Sequence, residues 1–342
     1  MKRNIYLKTI PPAEAVARVK ASIDREALIR EETIPSHEAS GRVLAHAVHA
    51  RYSSPTFHSA AMDGYAVNAR STFAAREGHP LTLKAGETCF AVNTGHPMPE
   101  GCDAVIMIEQ VVLDGGSVTI EAPAFPWQHV RRIGEDIVAT ELLFPRNHQL
   151  RPWDVGALLS GGIWDVPVWE RVTVRIIPTG DEVLDFTTHP DPGKGQVVES
   201  NSQMLAALAR ELGCVVERAA PVPDNPEALH QALKDSLDAG RHLTIFCAGS
   251  SAGSKDFTRA TLEKEGEILT HGIAAMPGKP SLLANCRGRL VAGAPGYPVS
   301  ALVCFKELLE PLISWLSHRE PPAKTVVPVE LTRTVPSRPG VE

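Results

Sequence analysis

The sequence predicts a multidomain chain of mixed class, α/β plus β. It combines a doubly wound, mostly parallel α/β unit over residues 172–318 with a smaller β-rich unit before it. Two observations carry this. From Val172 onward, apolar runs of strand length alternate with segments of helical period, the β-α-β-α-β order that gives a parallel sheet with helices on both faces. Between Leu81 and Ile120 the apolar runs are short and separated by turns such as Asn93-Thr94-Gly95 and Asp114-Gly115-Gly116, the spacing of a small β domain.

The elements follow in chain order. Residues 12–31 carry Ala15, Val16, Val19, Ile23 and Leu28 at helical spacing behind Pro12, and predict one helix. An extended piece follows over Thr33–Leu44, with a turn at Ser40-Gly41. Tyr65-Ala66-Val67 starts a strand, and Asp63-Gly64 before it is a turn signal. The β pattern continues through Val130 to Ile137. Ala157-Leu158-Leu159 followed by Gly161-Gly162 predicts a short helix ended by glycine. Val172–Ile177 is a buried strand closed by Pro178-Thr179-Gly180-Asp181-Glu182. Residues 187–199, rich in Pro and Gly, predict a mobile loop. Asn201 or Ser202 caps an amphipathic helix with Leu205, Leu208, Ala209 and Leu212 inward and Gly213 past its end. A strand at Cys214–Val216 and a helix opened by Pro223-Asp224-Asn225-Pro226 lead to the strand Leu243–Cys247. Thr258 opens the next helix, and a long helix follows Ser300 up to Pro321-Pro322.

Composition excludes several classes. The chain has 342 residues, 43% hydrophobic and 22% charged, as ordinary globular proteins do. Its net charge of −6, with no basic stripe, argues against a nucleic-acid partner. No run of 18 apolar residues is present, so no membrane partner is expected, and the N-terminus lacks the apolar core of a signal peptide. The six cysteines show no C-x-x-C pairing and several fall in apolar runs. They predict buried free thiols in a reducing cytoplasm and no cysteine-based zinc site. His58, His96 and His129 lack a metal-ligand spacing.

The chemistry is concentrated in three loops. Leu243–Cys247 breaks into Ala248-Gly249-Ser250-Ser251-Ala252-Gly253-Ser254-Lys255-Asp256, whose small residues allow an anion to approach the backbone. Asp256 ends that loop with a carboxylate suited to a hard cation such as Mg²⁺. Pro277-Gly278-Lys279-Pro280 and Pro295-Gly296-Tyr297-Pro298-Val299-Ser300 follow, also expected at the ends of buried strands. Each loop alone is an ordinary turn signal, and neither G-x-x-x-x-G-K-[ST] nor G-x-G-x-x-G is present. Together they point to an anionic ligand at one sheet edge.

These motifs carry a family resemblance. Ser59-Ala60-Ala61-Met62-Asp63-Gly64-Tyr65-Ala66, Asn93-Thr94-Gly95, Arg131–Asp136, Pro178–Glu182, Gly249–Asp256, Pro277–Pro280 and Pro295–Ser300 occur in the order seen in the molybdopterin molybdotransferases, the family of bacterial MoeA and the E domain of gephyrin. The resemblance covers nearly all of residues 10–342. It implies an elongated multidomain homodimer. In it, residues 1–50 and 144–171 form an extended first domain and 51–143 an inserted β-rich domain. Residues 172–318 form the molybdopterin-binding α/β domain, and 319–342 the incomplete start of a C-terminal β-barrel domain. The implied reaction inserts molybdenum from molybdate into adenylyl-molybdopterin and releases AMP, in molybdenum cofactor biosynthesis.

The resemblance also implies roles. Asp256 would hold Mg²⁺ near the diphosphate, and Ser251 would contact molybdate in the loop of Gly249, Ser250 and Gly253. Lys279 and Ser300 would complete the oxyanion pocket, with Pro295 and Pro298 fixing the last loop. Asp63, Thr94 and Asp136 would come from the partner subunit's β-rich domain, with Glu182 and Asp224 lining the cleft. Implied partners are a second copy of the chain, a molybdopterin adenylyltransferase and molybdoenzyme chaperones. One departure bears on the site. The family often reads K-P-G-K-P, and this chain has Met276 at the first lysine. Lys255 and Arg287 are the candidates to replace that charge. Two other readings stand beside it: a non-catalytic molybdopterin carrier or assembly scaffold, which draws on Met276 and on the incomplete last domain, and an unrelated nucleotide hydrolase sharing the α/β domain.

Overall fold

The computed structural model describes residues 9–247, 257–323, 325–328, 330 and 332–333. The chain opens with two helices rather than one. α1 (Pro12–Ser22) stops where Ile23 turns extended, and the Asp24 carboxylate accepts the Ala27 N–H at 3.2 Å to start α2 (Arg25–Leu28). An aspartate that caps a new helix thus cuts the period expected over 12–31. β1 (Glu31–Pro35) and β2 (Val48–His49) follow.

The β-rich region then runs through β3 (Ser59–Ala60), β4 (Gly64–Val67), β5 (Leu81–Lys84), β6 (Cys89–Val92), β7 (Ala104–Met107), β8 (Val111–Asp114), β9 (Ser117–Ile120) and β10 (Val130–Arg131). They form three small antiparallel sheets, ordered β6-β4-β7, β5-β9-β8 and β10-β3. Gly64 is the first residue of a strand rather than half of a turn. A Cβ there would lie 2.0 Å from the Ile106 carbonyl oxygen on the neighbouring β7, so close strand approach is what requires glycine.

β11 (Leu142–Phe144), α3 (Pro152–Ser160) and β12 (Asp165–Trp169) bring the chain back. β2 pairs with β11 and β1 with β12, both antiparallel, so the β-rich region is inserted between paired strands.

From here the alternating pattern holds. β13 (Thr173–Pro178) is followed by β14 (Val183–Leu184), β15 (Val197–Val198), α4 (Asn201–Glu211), β16 (Val215–Arg218), α5 (Pro226–Asp238) and β17 (Leu243–Cys247). Then come α6 (Phe257–Glu265), β18 (Gly266–His271), β19 (Leu282–Cys286) and β20 (Arg289–Ala294). α7 (Pro298–Cys304), a π-helical turn (Phe305–Leu309) and α8 (Glu310–Leu316) make up the long helix.

Six of these strands form one sheet, ordered β16-β13-β17-β20-β19-β18. The first four are parallel, while β20–β19 and β19–β18 are antiparallel. The sheet is therefore mixed: Asn285 to Gly288 close a tight hairpin that leaves no room for a crossover helix between β19 and β20.

Side chains alternate between two cores, as strand pleating dictates. Val174, Ile176, Ile245 and Ala292 pack under α1, α4, α7 and α8, while Ile177, Phe246 and Val291 pack against Leu229, Leu233 and Leu237 of α5 and Leu262 of α6. α1 shares this sheet core through Ala15 and Val19.

Among the described residues beyond Glu320 none lies in a strand, so the β segment expected from Thr325 is not seen in them. Among the described residues no helix is long and apolar enough to cross a membrane.

Candidate functional site

In an open α/β sheet a ligand crevice lies beyond the C-terminal strand ends, where the chain order reverses. Here the reversal falls between β13 and β17, because β13 leads outward to β16 and the chain then returns to β17. Thr179 stitches these two strand ends. Its backbone N–H and its hydroxyl both donate to the Cys247 carbonyl, at 2.9 and 3.2 Å. The next residue, Gly180, takes φ +138°. A Cβ there would meet Val183 Cγ2 at 2.7 Å and both Glu182 carboxylate oxygens at 3.0 Å, so glycine is what lets Glu182 fold back over the loop. Asp181 reaches across to the loop after β16 and accepts the Asp224 N–H at 3.1 Å. Sequence reasoning chose Glu182 and Asp224 and passed over Asp181, the residue that ties their two loops together.

The antiparallel β19 brings the Pro277–Pro280 loop to this same edge. Leu282 opposes Gly293 near the C-terminal end of β20, so the loop precedes its strand rather than following one. The loop is fixed by backbone bonds: Ile273 N–H to the Lys279 carbonyl at 2.9 Å, Ser281 N–H to Gly278 at 3.1 Å, and Ser281 Oγ to Gly278 at 2.7 Å. Lys279 is exposed and forms no ion pair among the described residues. Its ammonium is therefore available to an anion. Met276 is half exposed beside it.

The third loop closes the edge. Pro295 is buried at the end of β20, and Asn201 Nδ2 at the start of α4 donates to the Gly296 carbonyl at 2.7 Å. Pro298 is the first residue of α7, where its fixed φ suits a helix start, and Ser300 lies in that first turn, half-buried. Tyr297, 82% exposed, stands beyond the edge. Glu182, Asp224, Lys279, Pro295, Pro298 and Ser300 thus lie on loops at this one edge. Gly249, Ser250, Ser251, Gly253, Lys255 and Asp256 lie outside the described residues. Their loop departs from Cys247, at the end of β17, and rejoins the described chain at Phe257.

The β-rich region supplies a separate cluster. Asp63 and Thr94, from two different loops, meet where the Thr94 N–H donates to Asp63 Oδ1 at 2.7 Å. That bond holds the Asp63 carboxyl below its usual range. Asp136 is exposed nearby in sequence to β10, with its N–H on the Ser54 carbonyl at 3.0 Å. Among the described residues no hydrogen bond joins residues 51–143 to residues 172–318 of the same chain. His58 and His96 accept backbone N–H groups through Nδ1, at 3.1 and 3.4 Å.

A buried ionic network behind the crevice escaped sequence reasoning. Val197–Val198 pairs in parallel with Val183–Leu184, so the end of the segment expected to be a loop is ordered strand. Glu199 is buried, and its carboxylate accepts the Ser202 N–H at 2.7 Å. The helix start at Ser200 is therefore served by Glu199 rather than by Asn201 or Ser202. Arg218 on β16 donates Nε to Ser202 Oγ at 2.9 Å and reaches Asp185 at 3.2 Å and Glu199 at 3.5 Å. The missed signal is a carboxylate three residues before a polar helix-start residue.

Arg287 is excluded as a replacement for the family lysine. It sits in the β19–β20 hairpin at the opposite sheet edge, paired with Asp238 at 2.9 Å and with Glu265. Burial disfavours the thiolate form of these cysteines: it pushes Cys304 up to about 11, Cys214 and Cys286 up to about 12, and Cys247 well above the ordinary thiol value.

The chain is similar to known proteins over most of its length. Residues 10–162 match the family described as the MoeA N-terminal region (domain I and II), and residues 175–315 match a probable molybdopterin binding domain. The chain is 34% identical over 309 residues to a protein named molybdopterin molybdenumtransferase from Haemophilus influenzae, covering 84% of this chain and 74% of that protein. Molybdopterin molybdenumtransferase 2 from Mycobacterium tuberculosis is also 34% identical, covering 82% and 74%. Among solved structures, the molybdopterin biosynthesis moea protein from Pyrococcus horikosii superposes with a TM-score of 0.78 at 29% identity, covering 92% of this chain and 81% of that chain.

Proposed function

Because the chain belongs to the molybdopterin molybdenumtransferase family, we propose that it transfers molybdenum from molybdate into adenylyl-molybdopterin and releases AMP. The observation that carries this reading is the gathering of four fixed loop ends at one sheet edge with the exposed Lys279, which forms no ion pair among the described residues.

A diphosphate-bearing substrate and the molybdate dianion both need charge-assisted donors. Lys279 would supply one, the Ser300 hydroxyl another, and the rigid Pro295–Pro298 turn would hold the pterin end in place. Carboxylate chemistry suits Mg²⁺, which takes one or two protein carboxylates beside water and phosphate. Asp256 would hold the ion, with Glu182 and Asp224 lining the cleft, and the bound ion would neutralise diphosphate charge.

Among the described residues the Asp63–Thr94 pair makes no hydrogen bond to this edge. In a homodimer, the partner subunit's copy of that pair would complete the site, with the β-rich region (51–143) of one protomer facing the α/β domain (172–318) of the other. Anaerobic incubation with adenylyl-molybdopterin, Mg²⁺ and molybdate should release AMP and load molybdenum in equal amounts. AMP release that ignores molybdate would defeat the reading.

A further inference from the structure

We propose that the protein has a second anion site, at the opposite edge of the sheet, that binds a phosphate-bearing small molecule in an arginine-lined cavity. The cavity holds about 270 Å³ and is walled by the starts of β13 and β16 and by the ends of α4 and α8. Four arginines line it: Arg42, Arg171, Arg210 and Arg319. β13 spans six residues at ~3.3 Å each, so this edge lies roughly 20 Å from the crevice.

The charges are not answered within the described residues. Arg42 pairs with Glu32 and donates to the Trp169 carbonyl at 2.9 Å. Glu170, the one carboxylate in the lining, is already engaged by the Arg30 N–H at 2.8 Å and by His242 at 3.5 Å. Arg171, Arg210 and Arg319 form no ion pair among the described residues. Arg319 is the most telling, because its Nε is buried with no acceptor among them, and a guanidinium left so loses hydration without compensation. Burial holds its pKa below the ordinary guanidinium value.

The bland alternative is that the arginines serve the two helix C-termini. Each helix end carries only about half a negative charge. Even with Glu32, Glu170 and both ends set against them, the arginines leave net positive charge.

The shape suits an oxyanion. Arg319 packs its guanidinium 3.5 Å from where a Cβ on Gly213 would sit, and Gly213 takes φ +79°. No side chain at position 213 stands between that guanidinium and the cavity, and a guanidinium fork can match phosphate oxygens two at a time. Ser317 adds a hydroxyl.

The test is calorimetry on the full chain with inorganic phosphate, AMP and ribose 5-phosphate as probes. At least one should bind, more weakly as salt rises. Arg171→Gln and Arg210→Gln, both at exposed positions that carry no core contact, should together weaken it by roughly ten- to a hundredfold. Lys279→Gln, at the other edge, should remove only binding at the crevice and leave the arginine-dependent binding unchanged. Equal affinity for all three probes means the site reads the phosphate alone; preference for AMP means it also reads the nucleoside. If no probe binds the parent chain, or if binding survives the arginine changes and is lost in Lys279→Gln, the proposal is wrong.

Discussion

Thr94 gives its backbone N–H to the Asp63 carboxylate across 2.7 Å, joining two loops whose residues stand 31 apart in sequence. Aspartate here is both a loop staple and an ionised group with one oxygen committed. Its lowered pKa means the contact is complete above the ordinary carboxylate value and is lost as pH falls through the depressed one. The amide shift of Thr94 in an NMR titration should therefore move with a midpoint below that of a free aspartate. Asp63→Asn, which keeps an acceptor, should keep the loop in place.

If the Asp63 cluster completes the partner's site, two inactive variants should rescue each other. Mixing Asp63→Ala with Asp256→Ala should restore about a quarter of the wild-type rate, since half of the dimers are mixed and each mixed dimer holds one intact site. Subunit exchange verified by mass spectrometry with no recovered activity would rule out a shared site.

The Glu199–Arg218 network should behave as a buried pair. Arg218→Met strands the Glu199 carboxylate and should destabilise by roughly 3–5 kcal/mol, while the joint change Arg218→Met with Glu199→Gln should cost clearly less than the separate effects added. Urea unfolding of the four proteins measures this. Additive losses would mean that the two side chains act independently.

His318 predicts a pH slope. It is buried, stacked on Trp169 at 3.9 Å between ring centres, and its pKa is lowered to about 4, first by burial and then by Arg25 and Arg146, with Glu26 opposing. The native state refuses a proton that the unfolded chain accepts near 6.5. Stability should thus be full above that value and fall as pH drops towards about 4, by about 3 kcal/mol at most. His318→Phe should keep the stacking and flatten the slope in thermal melts between those limits.

Met276→Lys tests the departure from the family pattern. A thioether donates nothing to an oxyanion, and Arg287 is occupied at the far edge. An added ammonium beside Lys279 should tighten molybdate binding by roughly ten- to a hundredfold at low salt and less at high salt. Calorimetry showing no gain would place Met276 outside the oxyanion pocket.

Sequence periodicity revealed most of the sheet because its determinants are local. Leu243–Cys247 is apolar throughout, and all five residues are buried. The Asn225 cap, whose Oδ1 accepts the Ala228 N–H at 2.8 Å, was legible in Pro223–Pro226. What failed to show were choices made by partners far along the chain. The direction of β19 depends on its pairing with β20, and an apolar run reads the same either way. Gly64 looked like a turn because its true constraint, the Ile106 carbonyl, sits 42 positions away. The arginine cavity draws on residues from 40 to 319, and no single stretch contains its pattern.

The pairing of Val183–Leu184 with Val197–Val198 has a consequence for where this chain tolerates change. It clasps the neck of the excursion through residues 185–196, so both ends of that excursion are held side by side whatever lies between them. Doubling the length of a loop with fixed ends costs only about 0.6 kcal/mol. Insertions, deletions or a grafted peptide placed near Asp191-Pro192-Gly193 should therefore leave Glu182 on one side of the clasp and Glu199 on the other undisturbed. That makes the excursion a natural place to tag or extend the protein without touching its chemistry.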